Sequence, residues 1–206
     1  VEAVPEKIEI KKDTFKKVDE LADAETIIVS NTSGLSISEI ASVTNRQDKV
    51  MGAHFFYPAP VMKLLELVRG LVTSDETYDV VKEFAGKIGK TTVDAPEFPG
   101  FMVNRILVPM QNEAAFMVME GSKPEDVDNA MKLGCNHPMG PIELTDFVGI
   151  DTMLATMTGL YNGFHDSKYR PCPLLETMVK SGMLGKKTGQ GFYKYDEKGN
   201  KIGSNF

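Results

Sequence analysis

Three short apolar runs in the first third of the chain each end at, or enclose, a polar side chain that could do chemistry. They are residues 27–29, which stop at the polar group 30–34 (SNTSG), residues 50–53, which stop at His54, and residues 64–68, which carry Glu66. Such runs are typical of buried strands that open into functional loops. The pattern predicts three strands whose ends present Ser33, His54 and Glu66.

A hydroxyl, an imidazole and a carboxylate at one sheet edge could move a proton, because open α/β sheets bind ligands outside the carboxyl ends of their strands. A structural alternative carries similar weight on spacing alone. Serine and asparagine are ordinary turn formers, and a lone histidine often has a purely structural role. Glu66 favours the functional interpretation, since burying a carboxylate is costly unless it is paired.

The rest of the first half alternates helices with strands. Thr73 and Glu76 have the spacing of a capping box at the start of a helix. The other predicted elements are a surface helix over 6–23, a short helix over 38–43, the end of the capped helix at Gly89 and a strand over 91–94. This alternation indicates a mostly parallel α/β layer structure.

The pattern changes at residues 95–100 (APEFPG), after which most of the chain is predicted to be helical. Residues 101–120 form a long helix that is apolar on most of its surface, which indicates a central core helix or a subunit interface. Further helix starts are predicted at a capping box of Ser122 with Glu125, and at Asp151.

The glycine-studded segment 185–193 (GKKTGQGFY) could be mistaken for a phosphate-binding loop. It lacks the helix that would follow such a loop. We therefore interpret it as a structural turn that leads into an extended aromatic end.

Composition limits the partners that the chain can have. Of its 206 residues 42% are hydrophobic, the formal net charge is -6 and the sequence pI is near 5.2. No stretch approaches the ~18 consecutive apolar residues of a membrane helix, and no basic face suits a nucleic-acid backbone. We expect neither a membrane nor a nucleic-acid partner.

The two cysteines, Cys135 and Cys172, lie far apart in sequence and in no metal-ligand pattern. With only three histidines in the chain, no paired ligand spacing for zinc occurs either. We expect no metal site, and two free thiols in a reducing cytoplasm rather than a disulfide.

Five strings, in this order, carry a resemblance to a known family: SNTSGLSISEIA, GAHFFYPAPVMKLLELV, PGFMVNRIL, HPMGPIELTDFVGID and GKKTGQGFYKY. Together they resemble the 3-hydroxyacyl-CoA dehydrogenase family, in particular its short-chain 3-hydroxybutyryl-CoA members, over nearly the whole chain. A related dehydrogenase of sugar acids is a weaker match. The resemblance implies an α/β, partial Rossmann-like (doubly wound) NAD-binding domain over 1–96, followed by an all-α domain over 97–206 that forms a homodimer.

The resemblance also implies the reaction, which interconverts a 3-hydroxyacyl-CoA thioester and its 3-oxo form with NAD. His54 matches the family's catalytic base, and Glu66 the carboxylate behind its imidazole. Ser33 matches the serine that binds the substrate oxygen near the nicotinamide, and Asn104 the asparagine that reaches the site from the second domain. The chemistry fits independently, because oxidising an alcohol needs a base near neutral pH and a buried carboxylate stabilises the imidazolium.

For the cofactor, the resemblance places Glu6, Lys11 and Asn31 near the nicotinamide-side ribose, with Ser33 beside them. Tyr57 stands where the family usually has an asparagine that touches the nicotinamide. The family's G-x-G-x-x-G loop and the acidic residue that follows it do not occur in this sequence, so the choice between NAD and NADP stays open. Since the chain also starts without methionine, at residues that resemble the end of a strand, we expect it to begin inside a domain.

Two interpretations follow. In the first, the chain is a dehydrogenase, or the catalytic portion of one. In the second, it is a fragment that folds and oligomerises through its helical domain without turnover, because half a doubly wound sheet leaves an exposed edge.

Overall fold

The computed structural model describes residues 1–206, which form two units, Val1–Met102 and Val103–Phe206. The first unit comprises α1 (Ile8–Leu21), β1 (Ile28–Ser30), α2 (Ile37–Ala41), β2 (Val50–Phe55), β3 (Leu64–Arg69), α3 (Asp75–Lys87) and β4 (Thr91–Ala95). The second comprises α4 (Val103–Met119), α5 (Pro124–Cys135), α6 (Pro141–Val148), α7 (Ile150–Phe164), α8 (Pro173–Lys180), β5 (Tyr193–Tyr195) and β6 (Lys201–Ser204). None of these helices has the length and apolar character that crossing a membrane requires.

The four strands of the first unit form one sheet in the order β1-β2-β3-β4. Two pairings are parallel, as expected of this α/β fold, whereas β2 and β3 are antiparallel. A parallel crossover needs a dozen or more residues, and the connection over 56–63 is shorter than that. The expectation that Glu66 lies at the carboxyl end of its strand is therefore wrong, because Glu66 lies inside β3, directly opposite His54.

Each face of the sheet packs on its own apolar cluster, as expected for strands that are buried on both faces. On one face, α1 and α2 contribute Phe15, Ile37 and Ile40. On the other face, α3 contributes Val81 and Ala85. The continuous apolar runs that predicted the strands supply both clusters, because successive side chains point to opposite faces.

Helix α3 begins one residue later than its predicted capping box. Ser74 is the N-cap, and its hydroxyl accepts from the Thr77 N–H at 3.1 Å. Thr73 instead donates its hydroxyl to the Val50 carbonyl at 2.6 Å, which ties the chain before α3 to β2. The sequence spacing identified the helix but not the residue that caps it.

Helices α5 and α7 also begin without the predicted caps. The residue before α5 is Lys123 rather than Ser122, and no side chain caps the helix. Helix α7 begins at Ile150, so Asp151 lies within its first turn, where its carboxylate pairs with the Lys187 ammonium at 2.5 Å.

The second unit is helical apart from the short antiparallel hairpin of β5 and β6. Its core joins the inner faces of the helices to the hairpin, and includes Ala115, Ile142, Met157, Leu175 and Phe192. Within this unit α4 is two-sided, because Ala115 is fully buried while Ile106 is 74% exposed. Helix α4 nevertheless packs against α5, α6, α7 and α8, so it is central to its unit, and its exposed face leaves the interface alternative open as well.

The two units divide after Met102, whereas the sequence placed the division after residue 96. The difference arises because Phe101 is buried in the cluster beneath α1 and α2. The proline- and glycine-rich segment 95–100 thus still belongs to the first unit.

Candidate active site

His54 and Glu66 are direct partners across the antiparallel strands β2 and β3. The Nδ1 atom of His54 lies 2.7 Å from Oε2 of Glu66. Both side chains are buried, Glu66 completely. Since directly opposite residues of an antiparallel pair place their side chains on the same face within contact distance, the strand register itself brings the two groups together.

The surroundings of this pair fix both of its members. The main-chain N–H of Met102 donates to Oε1 of Glu66 at 3.1 Å. The rings of Phe56 and Phe101 lie against the imidazole, with centroid distances of 4.5 and 5.8 Å. With Nδ1 held by the carboxylate, Nε2 is the ring nitrogen that can exchange a proton with a ligand.

The turn after β1 carries the predicted residues Asn31 and Ser33. The side-chain Oδ1 of Asn31 accepts from the Phe55 N–H at 2.9 Å, which ties the end of β1 to the end of β2. The N–H of Ser33 donates to Oε1 of Glu6 at 2.8 Å. The turn and His54 therefore lie at the same edge of the sheet.

Lys11 and Glu6 differ in their access to solvent. The side chain of Lys11 is 1% exposed, and its ammonium lies 2.8 Å from Oε1 of Glu2 and 3.3 Å from Oε2 of Glu6. The side chain of Glu6 is 43% exposed. A ligand at this edge can contact the Glu6 carboxylate, whereas the buried Lys11 ammonium contacts that carboxylate from the protein side.

The two remaining predicted residues are Tyr57 and Asn104. Tyr57 is in the loop after β2, and 83% of its surface is exposed. Asn104 is the second residue of α4, at the start of the second unit. A contact between Asn104 and the substrate of His54 stays a prediction.

Three contributors to the site were not predicted from the sequence. Met102 acts through its main chain, which no side-chain pattern reveals. Phe101 has a positive φ of 49° after a glycine, and that signal was interpreted only as a domain boundary. Glu2 is buried against Lys11, and its signal was the one used for Glu66, an acid next to apolar strand residues.

The second unit holds two other buried carboxylates, and the first is Asp128. Its oxygens accept from the N–H groups of Ile142 and Glu143 at 2.8 and 3.0 Å, and from the Tyr193 hydroxyl at 2.7 Å. Burial raises the pKa of the Asp128 carboxyl above its usual value. These bonds hold the start of α6 and the strand β5 to α5.

The second of these carboxylates is Asp146, on α6. It accepts from the N–H groups of Phe192 and Tyr193 at 2.9 and 2.8 Å, and from the Tyr195 hydroxyl at 3.0 Å. Burial raises the pKa of Asp146 to about 6. A Cβ on Gly191 would meet this carboxylate, so the glycine-studded segment 185–193 packs around Asp146.

These contacts distinguish Glu66, whose partner is an imidazole, from Asp128 and Asp146, whose contacts are structural. Asp128 and Asp146 bind main-chain amides and tyrosine hydroxyls, which do not exchange protons near neutral pH. Glu66 binds an imidazole, which does. No group of three or more His, Cys, Asp or Glu side chains is arranged to hold a metal ion, and Cys135 and Cys172 are free thiols.

Comparison with known proteins agrees with this assignment of the two units. Residues 1–98 match the model of the 3-hydroxyacyl-CoA dehydrogenase NAD binding domain, and residues 100–195 match that of the 3-hydroxyacyl-CoA dehydrogenase C-terminal domain. The chain is 55% identical to the probable 3-hydroxybutyryl-CoA dehydrogenase of Bacillus subtilis, over 96% of its own length and 69% of that relative. It is 44% identical to the mitochondrial hydroxyacyl-coenzyme A dehydrogenase of Homo sapiens, over 95% of its length and 63% of that relative.

Among solved structures, it is similar to the (S)-3-hydroxybutyryl-CoA dehydrogenase of Ralstonia eutropha. The TM-score is 0.92 and the sequences are 49% identical. The similarity covers 95% of this chain and 69% of the Ralstonia chain.

Proposed function

The chain belongs to the 3-hydroxyacyl-CoA dehydrogenase family, and we propose that it interconverts an (S)-3-hydroxyacyl-CoA, with 3-hydroxybutyryl-CoA as the first candidate, and the corresponding 3-oxoacyl-CoA with NAD. The buried pair of His54 and Glu66, with nitrogen and oxygen 2.7 Å apart, carries the proposal. The names of the Bacillus subtilis and Ralstonia eutropha relatives support a short acyl chain.

His54 is the general base in the direction of oxidation. Its Nε2 takes the proton of the substrate's 3-hydroxyl as the carbonyl bond forms, and the hydrogen on C3 leaves with its electron pair as a hydride. NAD, when bound, supplies the acceptor for that hydride. Glu66 stabilises the resulting imidazolium and keeps the ring oriented, and in the reverse direction the imidazolium returns the proton to the oxygen.

Ser33 and Asn104 orient the substrate in this proposal. The Ser33 hydroxyl binds the substrate oxygen near the nicotinamide, and the fixed main chain of the turn supports it. The Asn104 amide binds the substrate from the start of α4. Fixing the reacting oxygen next to the base is a large part of what such a site contributes to the rate.

The cofactor is held at its nicotinamide end by residues at the same sheet edge. The half-exposed carboxylate of Glu6 fits a ribose, because a carboxylate accepts hydrogen bonds from ribose hydroxyls. Lys11 contacts that carboxylate from the protein side, and Asn31 and Tyr57 would lie next to the nicotinamide when the cofactor is bound. The choice between NAD and NADP is not made by these residues.

The substitution His54→Asn tests this function. Turnover of acetoacetyl-CoA with NADH is expected to fall by about 10²–10⁴-fold, because the general acid that donates the proton in this direction is lost. NADH affinity, measured by calorimetric titration, is expected to change little. The matched control is His165→Asn, at an exposed histidine on the end of α7, with normal turnover. Near-normal turnover in His54→Asn would overturn the assignment.

The same titration separates this function from the alternative of a folded fragment without turnover. Saturable NADH binding by the parent chain supports the enzyme, and its absence supports the alternative. The expected cytoplasmic location stays a prediction, which the free thiols of Cys135 and Cys172 support.

The homodimer is also part of the proposal, with α4 at the interface. Ile106 and Met117 are exposed apolar residues three helical turns apart, so they share one face of the helix. Replacing Ile106 by Glu puts a charge on this face and is expected to shift the sedimentation coefficient from dimer to monomer. A parent chain that is monomeric at working concentrations would contradict the proposal.

A further inference from the structure

A continuous series of polar contacts lies behind the turn that carries Ser33. It begins at Glu2, whose Oε1 is 2.8 Å from the Lys11 ammonium, and continues to Oε2 of Glu6 at 3.3 Å from the same ammonium. It ends at Thr32, whose hydroxyl donates to Oε1 of Glu6 at 2.5 Å. Both oxygens of the half-exposed Glu6 carboxylate are therefore held from the protein side.

Thr32 is the point where this series meets the turn. It is completely buried, and its hydroxyl oxygen accepts from the N–H groups of Gly34 and Leu35 at 3.3 and 3.0 Å. The N–H of Ser33, the residue just before them, donates to Glu6. The side chains of Glu6 and Thr32 thus fix the main chain at Ser33 and at the two residues that follow it.

Glu2, at the other end of this series of contacts, is held by several partners at once. Glu2 accepts from the Ser30 hydroxyl at 2.7 Å and from the Val4 N–H at 2.6 Å, in addition to Lys11. A buried ion pair with further hydrogen bonds resists rearrangement, because moving either charge would leave the other buried and unpaired. Glu6 is therefore held between a fixed cation and a fixed hydroxyl.

We propose that Thr32 is a positioning residue of the reaction, acting through the Glu6 carboxylate and the main chain of Ser33. This inference rests on the proposed roles of Ser33 and Glu6. A valine at position 32 would preserve the volume of the side chain but remove its hydroxyl. One oxygen of Glu6 would then lose a donor, and the N–H groups of Gly34 and Leu35 would lose their acceptor.

The first test follows the turn itself and needs no turnover. Amide hydrogen exchange is measured on the full chain carrying Thr32→Val, Thr32→Ser or Thr77→Val. In Thr32→Val, exchange over 33–35 is expected to rise by about tenfold or more, while strand β2 stays protected. Thr32→Ser keeps the hydroxyl and the protection. Thr77→Val makes the same chemical change at a buried position on α3 and leaves the turn unchanged.

The second test measures the kinetic constants of the same variants. Thr32→Val is expected to raise KM for NADH and lower kcat, each by about tenfold, and Thr32→Ser to restore both. A purely structural role would reduce the amount of folded enzyme and leave KM unchanged. Thr32→Ala replaces the valine variant if that variant does not fold.

Unchanged exchange over 33–35 in Thr32→Val overturns the inference, as does a fall in kcat with unchanged KM. Failure of the proposed function is recognised separately, because it shows as normal turnover in His54→Asn. The exchange measurement does not depend on that result.

Discussion

The buried carboxylate of Glu66 in the first unit and those of Asp128 and Asp146 in the second lie against different donors, and the difference shows that burial alone does not identify a functional acid. In the first unit, Glu66 binds the imidazole of His54. In the second, Asp146 binds the N–H groups of Phe192 and Tyr193, and Asp128 is held in the same way. Both arrangements compensate the cost of removing a charge from water. Only the first includes a partner that exchanges protons near neutral pH.

The comparison therefore predicts two separable kinds of loss. Removing the charge of Glu66 should slow the reaction, whereas changing Asp146 should weaken the helical unit. A Glu66 variant that lowers stability as much as activity, or an Asp146 variant that lowers activity more than stability, would contradict this distinction.

The largest effect is expected for Glu66→Gln. An amide cannot stabilise the imidazolium that forms when His54 takes a proton, so kcat is expected to fall by about 10²–10⁴-fold. The thermal unfolding midpoint serves as the structural readout and is expected to change far less. Turnover close to that of the parent would mean that the pair is structural, like those of the second unit.

The next effect is expected for Asp146→Asn. The amide nitrogen of the new side chain would face the N–H donors of β5, so one buried group would be left unpaired. A loss of about 2–4 kcal/mol in the free energy of unfolding is expected, measured by urea denaturation. The kcat per folded molecule should stay near the parent's. A stable protein with a strongly reduced kcat would contradict the structural role.

A smaller loss is expected for Gly191→Ala, because the added Cβ would meet the Asp146 carboxylate. Overpacking of this kind costs about 1–3 kcal/mol. Gly159→Ala is the matched control, since a Cβ there meets nothing within 4 Å and Gly159 lies inside α7. That control is expected to gain about 0.5–1 kcal/mol from helix propensity. Equal unfolding midpoints for the two variants would contradict the packing of this turn on Asp146.

The smallest effect is the pH dependence that Asp146 brings to the second unit. Burial raises its pKa from 3.8 to about 6, so the folded protein binds this proton more tightly than the unfolded chain does. The resulting stability is fully present below pH 3.8 and is lost as the pH rises through about 6. Between pH 5 and pH 7 the loss is about 1 kcal/mol. Urea denaturation of Asp146→Asn at the two pH values should show a correspondingly smaller change.

The sequence predicted the alternating elements of the first unit and singled out His54 and Glu66 as candidates, because apolar runs and a costly buried acid are local signals. It did not predict that these two residues face each other across antiparallel strands, since an apolar run does not specify strand direction. Nor did it identify Asp128, because that residue is one of three acids, with Glu125 and Asp126, near the start of an amphipathic helix. Its partner Tyr193 lies 65 residues away.

The capping residues show the same limit at shorter range. Thr73 and Ser122 have the right spacing to begin a helix, and a helix follows each of them closely. Thr73 instead bonds to the carbonyl of Val50 on a neighbouring strand, and such a contact forms only after the sheet has assembled. Spacing rules thus place a helix to within a residue or two, while tertiary contacts decide which side chain caps it.

The antiparallel register of β2 and β3 has a consequence for redesign. The separation of His54 and Glu66 is set by main-chain hydrogen bonds between the strands, and not by the loop over 56–63 that joins them. Apart from Phe56, whose ring lies against the imidazole, this loop, which includes the exposed Tyr57, can therefore be exchanged or lengthened without moving the pair. Substitutions there are expected to alter what the site accepts while His54 and Glu66 keep their geometry.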